Sequence, residues 1–162
     1  MTTKAHALRT RMAAALVALF WLVSQAAANC SDTQVWVRGD FGQARFNVEI
    51  ADDDATRALG LMNRTEMATS AGMLFIYPAP TRLSFWMRNT LIPLDMLFAD
   101  ETGVIRHIHE NAIPLDETPI QGGDGLTHVL EINGGLASQL GISVGDALRH
   151  PSFDQMDAAW AC

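Results

Sequence analysis

Short runs of strand-forming residues, separated by turns rich in Gly, Pro, Asn and Asp, recur along most of this chain. Residues 45–51 (RFNVEIA) alternate apolar and polar side chains, as a strand with one buried face requires. Further runs lie at residues 73–77, 83–88, 95–99, 104–109 and 126–132. The pattern predicts a mostly β or α+β fold, a compact small β-barrel of short, mainly antiparallel strands.

Two or three short helices accompany these strands. Asp52 is a candidate N-cap for a helix over residues 53–62. A second helix is predicted at residues 136–140, and Gly141 stands where a left-handed residue would end it. The tetrapeptide DETG (100–103) predicts a hairpin turn, whereas the prolines and glycines of residues 111–125 predict a long loop.

The N-terminal residues 1–28 are organised like a secretory signal peptide. A basic head precedes an apolar run of 12 residues (12–23), and small residues follow up to Ala28. This run is shorter than the about 20 residues that cross a bilayer, although a retained anchor is the alternative. We therefore predict a periplasmic or secreted protein without stable membrane insertion after cleavage.

The remaining sequence divides into three parts. Residues 29–45 are predicted to be an N-terminal extension, residues 46–150 a β-barrel-like domain, and residues 151–162 a C-terminal tail. Phe153, Met156 and Trp160 have helical spacing in this tail, which predicts that it docks on the barrel.

Charge excludes two classes of partner. Loss of residues 1–28 removes three positive charges and no acid, so the formal net charge changes from −7 to −10. Such a surface repels nucleic acid and anionic lipid. The expected partner is thus a small molecule or another protein.

The two cysteines lie near the two ends of the mature chain. Cys30 and Cys162 could form a disulfide in an oxidising compartment, or remain as separate thiols on frayed ends. No CxxC motif is present, so neither reading makes them catalytic.

The stretch FWMRNTLIPLDMLF (85–98) places polar residues between two apolar runs. Pro93 interrupts any regular ladder there, so a turn between strands is expected. The candidate ligand-binding residues in this stretch are Trp86, Arg88, Asn89, Thr90 and Asp95. The alternative is that these polar groups only satisfy one another around the turn.

A metal site is a second candidate. His107 and His109 point the same way if HIHE forms a strand, a spacing that suits two ligands of one transition metal. His128, and Asp95 if the fold brings it close, could complete the set. The alternative is a pair of histidines that are solvated or hydrogen-bonded at the rim of the sheet.

The sequence predicts no catalytic residue. Gly-x-Ser-x-Gly, phosphate-loop, dinucleotide-binding and HExxH motifs are all missing. Acid–base chemistry by Asp95 or Glu110 with a histidine is a further alternative, for a hydrolase or lyase.

Several motifs resemble the uncharacterised bacterial and archaeal family called domain of unknown function 192. They are GLMNR, GMLFIYP, FWMRNTLIPLDMLF, HIHENAIP, VLEINGG and LGISVGD, and the resemblance covers about residues 46–149. The resemblance implies a small, β-rich and often exported domain, with no catalytic role to carry over. It also implies that polar positions matching the family pattern belong to a site, namely Asn89, Thr90, Asp95, His107, Glu110 and Asn111.

Taken together, these features favour an exported binding or accessory module with a polar pocket near residues 86–95. A metal-binding protein that uses the His-x-His pair and an acid–base enzyme are the alternatives. No cofactor is predicted apart from the transition metal of the first alternative.

Overall fold

A seven-stranded sheet is the frame of the protein in the computed structural model, which describes residues 30–162. The strands are β1 (Gln34–Gly39), β2 (Gly42–Ala51), β3 (Ala71–Phe85), β4 (Leu94–Asp100), β5 (Ile105–Ala112), β6 (Ile120–Asn133) and β7 (Ala147–Arg149). Their order across the sheet is β5-β4-β6-β3-β2-β1-β7. Only β2 and β3 pair in parallel, and the other neighbours are antiparallel. The predicted mostly β fold with mainly antiparallel strands is confirmed.

The sheet curls into a half-barrel whose two ends approach each other. Val104 forms a bridge with Ala147, and the N–H of Ile105 donates to the carbonyl of Asp146 at 2.9 Å. Every strand contributes to the apolar cluster inside the curl: Val35, Phe46, Leu74, Leu97, Ile105, Leu130 and Leu148. A second cluster covers the opposite face of β3, β4 and β6, and the candidate site lies on that face.

Two short helices, α1 (Asp54–Leu59) and α2 (Leu136–Leu140), join the strands. Asp53, rather than the predicted Asp52, caps α1, because its carboxylate accepts the N–H of Thr56 at 2.9 Å while the Thr56 hydroxyl accepts the N–H of Asp53 at 3.2 Å. Ala55 would occupy the same position for Asp52 and has no side-chain acceptor to return that bond. The end of α2 is as predicted, since Gly141 adopts φ 81°.

One long strand, β3, replaces the two strands predicted at residues 73–77 and 83–88. Its pairing with β6 slips between Ile76, which faces His128, and Thr81, which faces Leu126. The prolines at 78 and 80 lie in this irregular part, where the ladder does not need their missing N–H groups. The two prolines therefore interrupt the pairing of this strand without ending it.

The long loop predicted at residues 111–125 is shorter in the structure, because β6 already begins at Ile120. Gly122 is a strand residue for a packing reason, since a Cβ there would lie 2.2 Å from the Phe98 ring. The predicted hairpin turn at residues 100–103 is present, with the N–H of Gly103 donating to the carbonyl of Asp100 at 3.0 Å.

Cys30 and Cys162 form a disulfide that joins the ends of the described chain. The segment predicted to be an N-terminal extension contains β1 and the start of β2, so it belongs to the sheet. The pairing of β1 with both β2 and β7 explains this, because β1 links the last strand to the rest of the sheet. The predicted signal peptide lies outside the described residues.

The C-terminal tail forms turns in place of a helix. Phe153 is buried with its ring centroid 4.0 Å from that of His128, and Trp160 lies under the guanidinium of Arg38 at 4.5 Å. Met156 is 89% exposed. The tail thus docks through two of the three predicted residues.

Neither helix of residues 30–162 has the length and apolar character that a membrane crossing requires.

Candidate ligand-binding cavity

The polar stretch after β3 forms a tight turn against the segment that follows α1. Asn89 adopts a left-handed conformation with φ 54°, and the N–H of Thr90 donates to the carbonyl of Met87 at 3.0 Å. The carbonyl of Asn89 accepts the N–H of Asn63 at 2.8 Å. Trp86 and the buried Thr90 lie on either side of this turn, and both line the cavity described below.

Asp95 fixes the frame behind this turn. Its side chain is fully buried, and one carboxylate oxygen accepts the N–H of Asn111 at 2.6 Å and that of Gly135 at 2.7 Å. The other oxygen accepts the N–H of Ala137 at 2.7 Å. One carboxylate therefore ties β4 to the end of β5 and to the start of α2. Because the backbone occupies both oxygens, Asp95, one of the predicted ligand-binding residues, acts as a structural anchor and does not line the cavity beside Trp86.

The remaining predicted ligand-binding residues are exposed. Glu110 and Asn111 lie at the end of β5, where Asn111 has φ 52° and its backbone contacts Asp95. Arg88 places its guanidinium 5.5 Å from the centre of the Trp86 ring. None of these three side chains lines the cavity beside Trp86.

The three histidines predicted as metal ligands do not converge. His107 and His109 pair across the sheet with Phe98 and Met96, which belong to the outer apolar cluster. His128 lies on the other face, where its two ring nitrogens contact the hydroxyls of Thr127 at 2.8 Å and Ser152 at 2.9 Å. Successive side chains of β6 point to opposite faces of the sheet, so His128 lies on the face opposite to Phe98 and Met96. Residues 30–162 contain no group of three or more His, Cys, Asp or Glu side chains placed to hold a metal ion.

A small cavity opens between α1, the middle of β3 and the turn after β3. Its volume is about 100 Å³. Its lining combines aromatic walls, apolar residues from the end of α1 and the segment that follows it, and five side chains able to ionise or hydrogen-bond: Phe75, Phe85, Trp86, Ala58, Leu59, Gly60, Leu61, Met62, Arg57, Tyr77, Ser84, Thr90 and Glu131. Pockets that bind drug-sized ligands usually measure about 300–1,000 Å³, so this one suits a very small molecule or one end of a larger one.

Glu131 is the unusual member of this lining. It lies on β6 between Met73 of β3 and Met96 of β4, and only 4% of its surface is exposed. Its side chain makes no hydrogen bond or ion pair with any residue of the range 30–162. Burial raises the pKa of Glu131 from 4.5 to about 8, so the carboxyl is mainly protonated at neutral pH.

Arg57, the cation in the cavity wall, does not compensate Glu131. Its guanidinium donates to the carbonyl of Ile76 at 2.8 Å and to the carboxylate of Asp54 at 2.6 Å. It also lies 5.1 Å from the centre of the Tyr77 ring. Burial raises the pKa of Tyr77, and the neighbouring Glu131 adds to this rise. The cavity therefore holds a neutral phenol and a buried carboxyl that has no cationic partner in the described part of the chain.

Sequence reasoning missed Glu131 as a site residue. The alternation of side chains along a strand puts Glu131 and His128 on opposite faces of β6, and the structure agrees. The available signal was the single acid inside the apolar run VLEI (129–132). An acid in a strand buried on both sides must be paired, protonated or functional.

The family model of domain of unknown function 192 (DUF192), described as Uncharacterized ACR, matches residues 35–150. The chain belongs to this family. The matched range includes both acids of the site region, Asp95 and Glu131. The comparison with curated proteins found no match.

Two solved structures share this fold with the DUF192 chain. A protein of unknown function from Novosphingobium aromaticivorans is 45% identical, with a TM-score of 0.70, and the match covers 71% of this chain and 82% of that one. A protein from Sinorhizobium meliloti, provisionally described as a transcription regulator, is 40% identical with a TM-score of 0.70. Here the match covers 74% of this chain and 94% of the other.

Proposed function

We propose that this DUF192 protein is an exported small-molecule-binding module whose site is the cavity over Glu131. One observation carries the proposal: a buried carboxyl that has no partner among residues 30–162 faces a cavity with aromatic walls. Buried acids normally have a hydrogen-bond or ionic partner in the protein, and one that opens onto a cavity without such a partner is a common mark of a binding site. The site contains Trp86 and Thr90 of the predicted pocket and extends it to β6.

The walls of the cavity are held in place before any ligand arrives. Tyr77 and Phe85 belong to β3, and Glu131 belongs to the neighbouring β6. The rings of Phe75 and Phe85 contact each other edge to face with 5.1 Å between their centres. Strands position side chains more rigidly than loops do, which lowers the entropy that binding must overcome.

Two features support export. The predicted signal peptide comprises residues 1–28, and the Cys30–Cys162 disulfide is of a kind that persists mainly in oxidising compartments. The calculated charge of −10 for the mature chain supports a partner other than nucleic acid or anionic lipid. A periplasmic or secreted location fits these features.

The two alternative functions have weaker support from the geometry. A site of His107, His109 and His128 would need side chains from opposite faces of the sheet to meet. Acid–base chemistry by Asp95 would break hydrogen bonds from three backbone N–H groups. The cavity over Glu131 needs no such rearrangement.

A matched pair of helix variants tests the proposal. Ala58 lines the cavity, whereas Ala55 is an exposed residue of the same helix that does not. Ala58→Phe should fill the cavity and Ala55→Phe should leave it open. The probes are phenethylammonium, 2-phenylethanol and phenylacetate, titrated into the ¹⁵N-labelled protein.

At least one probe should shift the amide resonances of Gly60 and Leu61 and the indole resonance of Trp86. Ala58→Phe should abolish these shifts, and Ala55→Phe should retain them. The proposal is wrong if no probe shifts these resonances, or if both variants respond alike.

A further inference from the structure

Glu131 is the acid in the wall of the cavity, and no cationic side chain among residues 30–162 neutralises it. Glu131 has 4% of its surface exposed, and no Arg, Lys or His among residues 30–162 forms an ion pair with it. Its partner is therefore a proton or a cation that enters from outside. A ligand that brings a cation would convert an unfavourable buried acid into a buried ion pair.

The other walls of the cavity suit an organic cation. Two aromatic rings beside it already hold guanidinium groups, Arg57 at 5.1 Å from Tyr77 and Arg88 at 5.5 Å from Trp86. Aromatic faces attract cations through their quadrupole, and an ammonium group surrounded by such rings is a frequent mode of recognition. Phe85 offers a further ring inside the cavity.

The rim of the cavity indicates what the rest of the ligand looks like. Leu59 is 58% exposed and Trp86 is 47% exposed, and both line the opening. Exposed apolar residues at a pocket rim favour an apolar extension of the ligand. The interior volume of about 100 Å³ admits an ammonium group and a short chain.

Resting on the function proposed above, we infer that the ligand is a small organic amine that binds as an ammonium ion. Its charged end pairs with the Glu131 carboxylate among the aromatic walls, and its apolar end lies over Leu59 and Trp86. When a protonated amine enters, the Glu131 carboxyl releases its proton to solvent, so charge is conserved inside the cavity.

The groups around Glu131 define how binding responds to pH. Met73 and Met96 flank it on β3 and β4 and do not titrate. Arg57 lines the same cavity from α1, and burial raises the pKa of the Tyr77 phenol, which keeps it neutral. His109 lies one strand further away on β5, beyond Met96. Below the Glu131 pKa of about 8, the affinity for an ammonium ion should therefore rise about tenfold for each pH unit.

Three probes of nearly the same shape test the inference. Phenethylammonium, neutral 2-phenylethanol and anionic phenylacetate are titrated into the protein by calorimetry and NMR at about pH 6 and about pH 7.5. The ammonium probe should bind at least tenfold more tightly at the higher pH and more tightly than the other two. Glu131→Gln should weaken its binding at least tenfold and leave 2-phenylethanol within about twofold.

Two control variants separate the site from the general acidity of the protein. Glu101→Gln removes an exposed acid in the β4–β5 hairpin turn, and His109→Gln removes the nearest histidine on that face. Both should keep the affinity and the pH response of the wild type.

Binding of 2-phenylethanol or phenylacetate in the cavity, with an affinity equal to or above that of the ammonium ion, would overturn the inference while leaving the proposed function standing. An ammonium affinity that does not depend on pH or on Glu131 would do the same. Failure of all three probes would overturn both proposals.

Discussion

Replacing Glu131 by glutamine should change how the stability of the protein depends on pH. The folded protein holds a proton on Glu131 up to a pKa of about 8, whereas the unfolded chain releases it near 4.5. Between these values the folded state binds one more proton than the unfolded state, so the wild-type free energy of unfolding falls by about 1.4 kcal/mol for each pH unit gained. This stability is fully present below 4.5 and is lost as the pH rises to about 8. Glutamine has nearly the same shape and does not titrate.

The magnitude follows from the width of this window. From pH 5 to pH 7.5, the stability of Glu131→Gln relative to the wild type should rise by about 3 kcal/mol. The quantity to measure is how the stability difference between Glu131→Gln and the wild type changes with pH. The stability of either protein alone also depends on His128, whose pH dependence has the opposite sign. Burial lowers the pKa of His128 to about 3, so its contribution to stability falls as the pH drops below 6.5. Comparing two proteins that both contain His128 removes this effect.

Urea unfolding of both proteins, followed by far-UV circular dichroism at several pH values, measures the difference. Glu101→Gln is the control, because this acid is exposed and its removal should leave the pH profile unchanged. A stability difference between Glu131→Gln and wild type that stays constant from pH 5 to pH 7.5 would show that water solvates the carboxyl. The reasoning about an unpaired acid would then be refuted.

Three further experiments test the frame around the cavity. Asp95→Asn should lower the free energy of unfolding in urea by about 3–5 kcal/mol, because the charge-assisted hydrogen bonds are lost and the NH₂ group of the new amide side chain meets a backbone N–H. The control Glu110→Gln replaces an exposed acid and should have little effect. Relative to the wild type, His128→Gln should gain about 2 kcal/mol of stability between pH 7 and pH 5, and an unchanged difference would contradict its burial as a neutral ring. Reduction of the Cys30–Cys162 disulfide should cost about 4–5 kcal/mol in the chain-entropy model, measured by urea unfolding with and without dithiothreitol.

Features encoded by neighbouring residues could be predicted from the sequence. The alternation of β2 is observed, with Phe46 and Val48 buried and Asn47 exposed between them. The end of α2 at Gly141 and the hairpin turn at residues 100–103 are also observed. In each case the chemistry of a few adjacent residues determines the local backbone.

Features that depend on partners far along the chain could not be predicted in this way. β3 continues past two prolines because β6 tolerates a slip of register opposite them. Asp95 receives its hydrogen bonds from Asn111, Gly135 and Ala137, which are 16 to 42 residues away in sequence. The cavity likewise joins α1, β3 and β6. Sequence patterns give the face of a strand but not which strand lies beside it.

A comparison of the two buried acids of neighbouring strands favours the cavity over Glu131, rather than the surroundings of Asp95, as the candidate site. Asp95 pairs with Ile132 in the sheet and Glu131 pairs with Met96, so the acids lie one residue out of register. Asp95 accepts three backbone N–H groups, whereas Glu131 accepts none from residues 30–162. Near neutral pH, the unpaired carboxyl lowers stability by about 3 kcal/mol, a sizeable part of the about 5–15 kcal/mol of a typical domain. A glutamine or a leucine would avoid this loss. An acid that weakens the fold, yet opens onto a cavity, is most simply explained by a ligand that binds it.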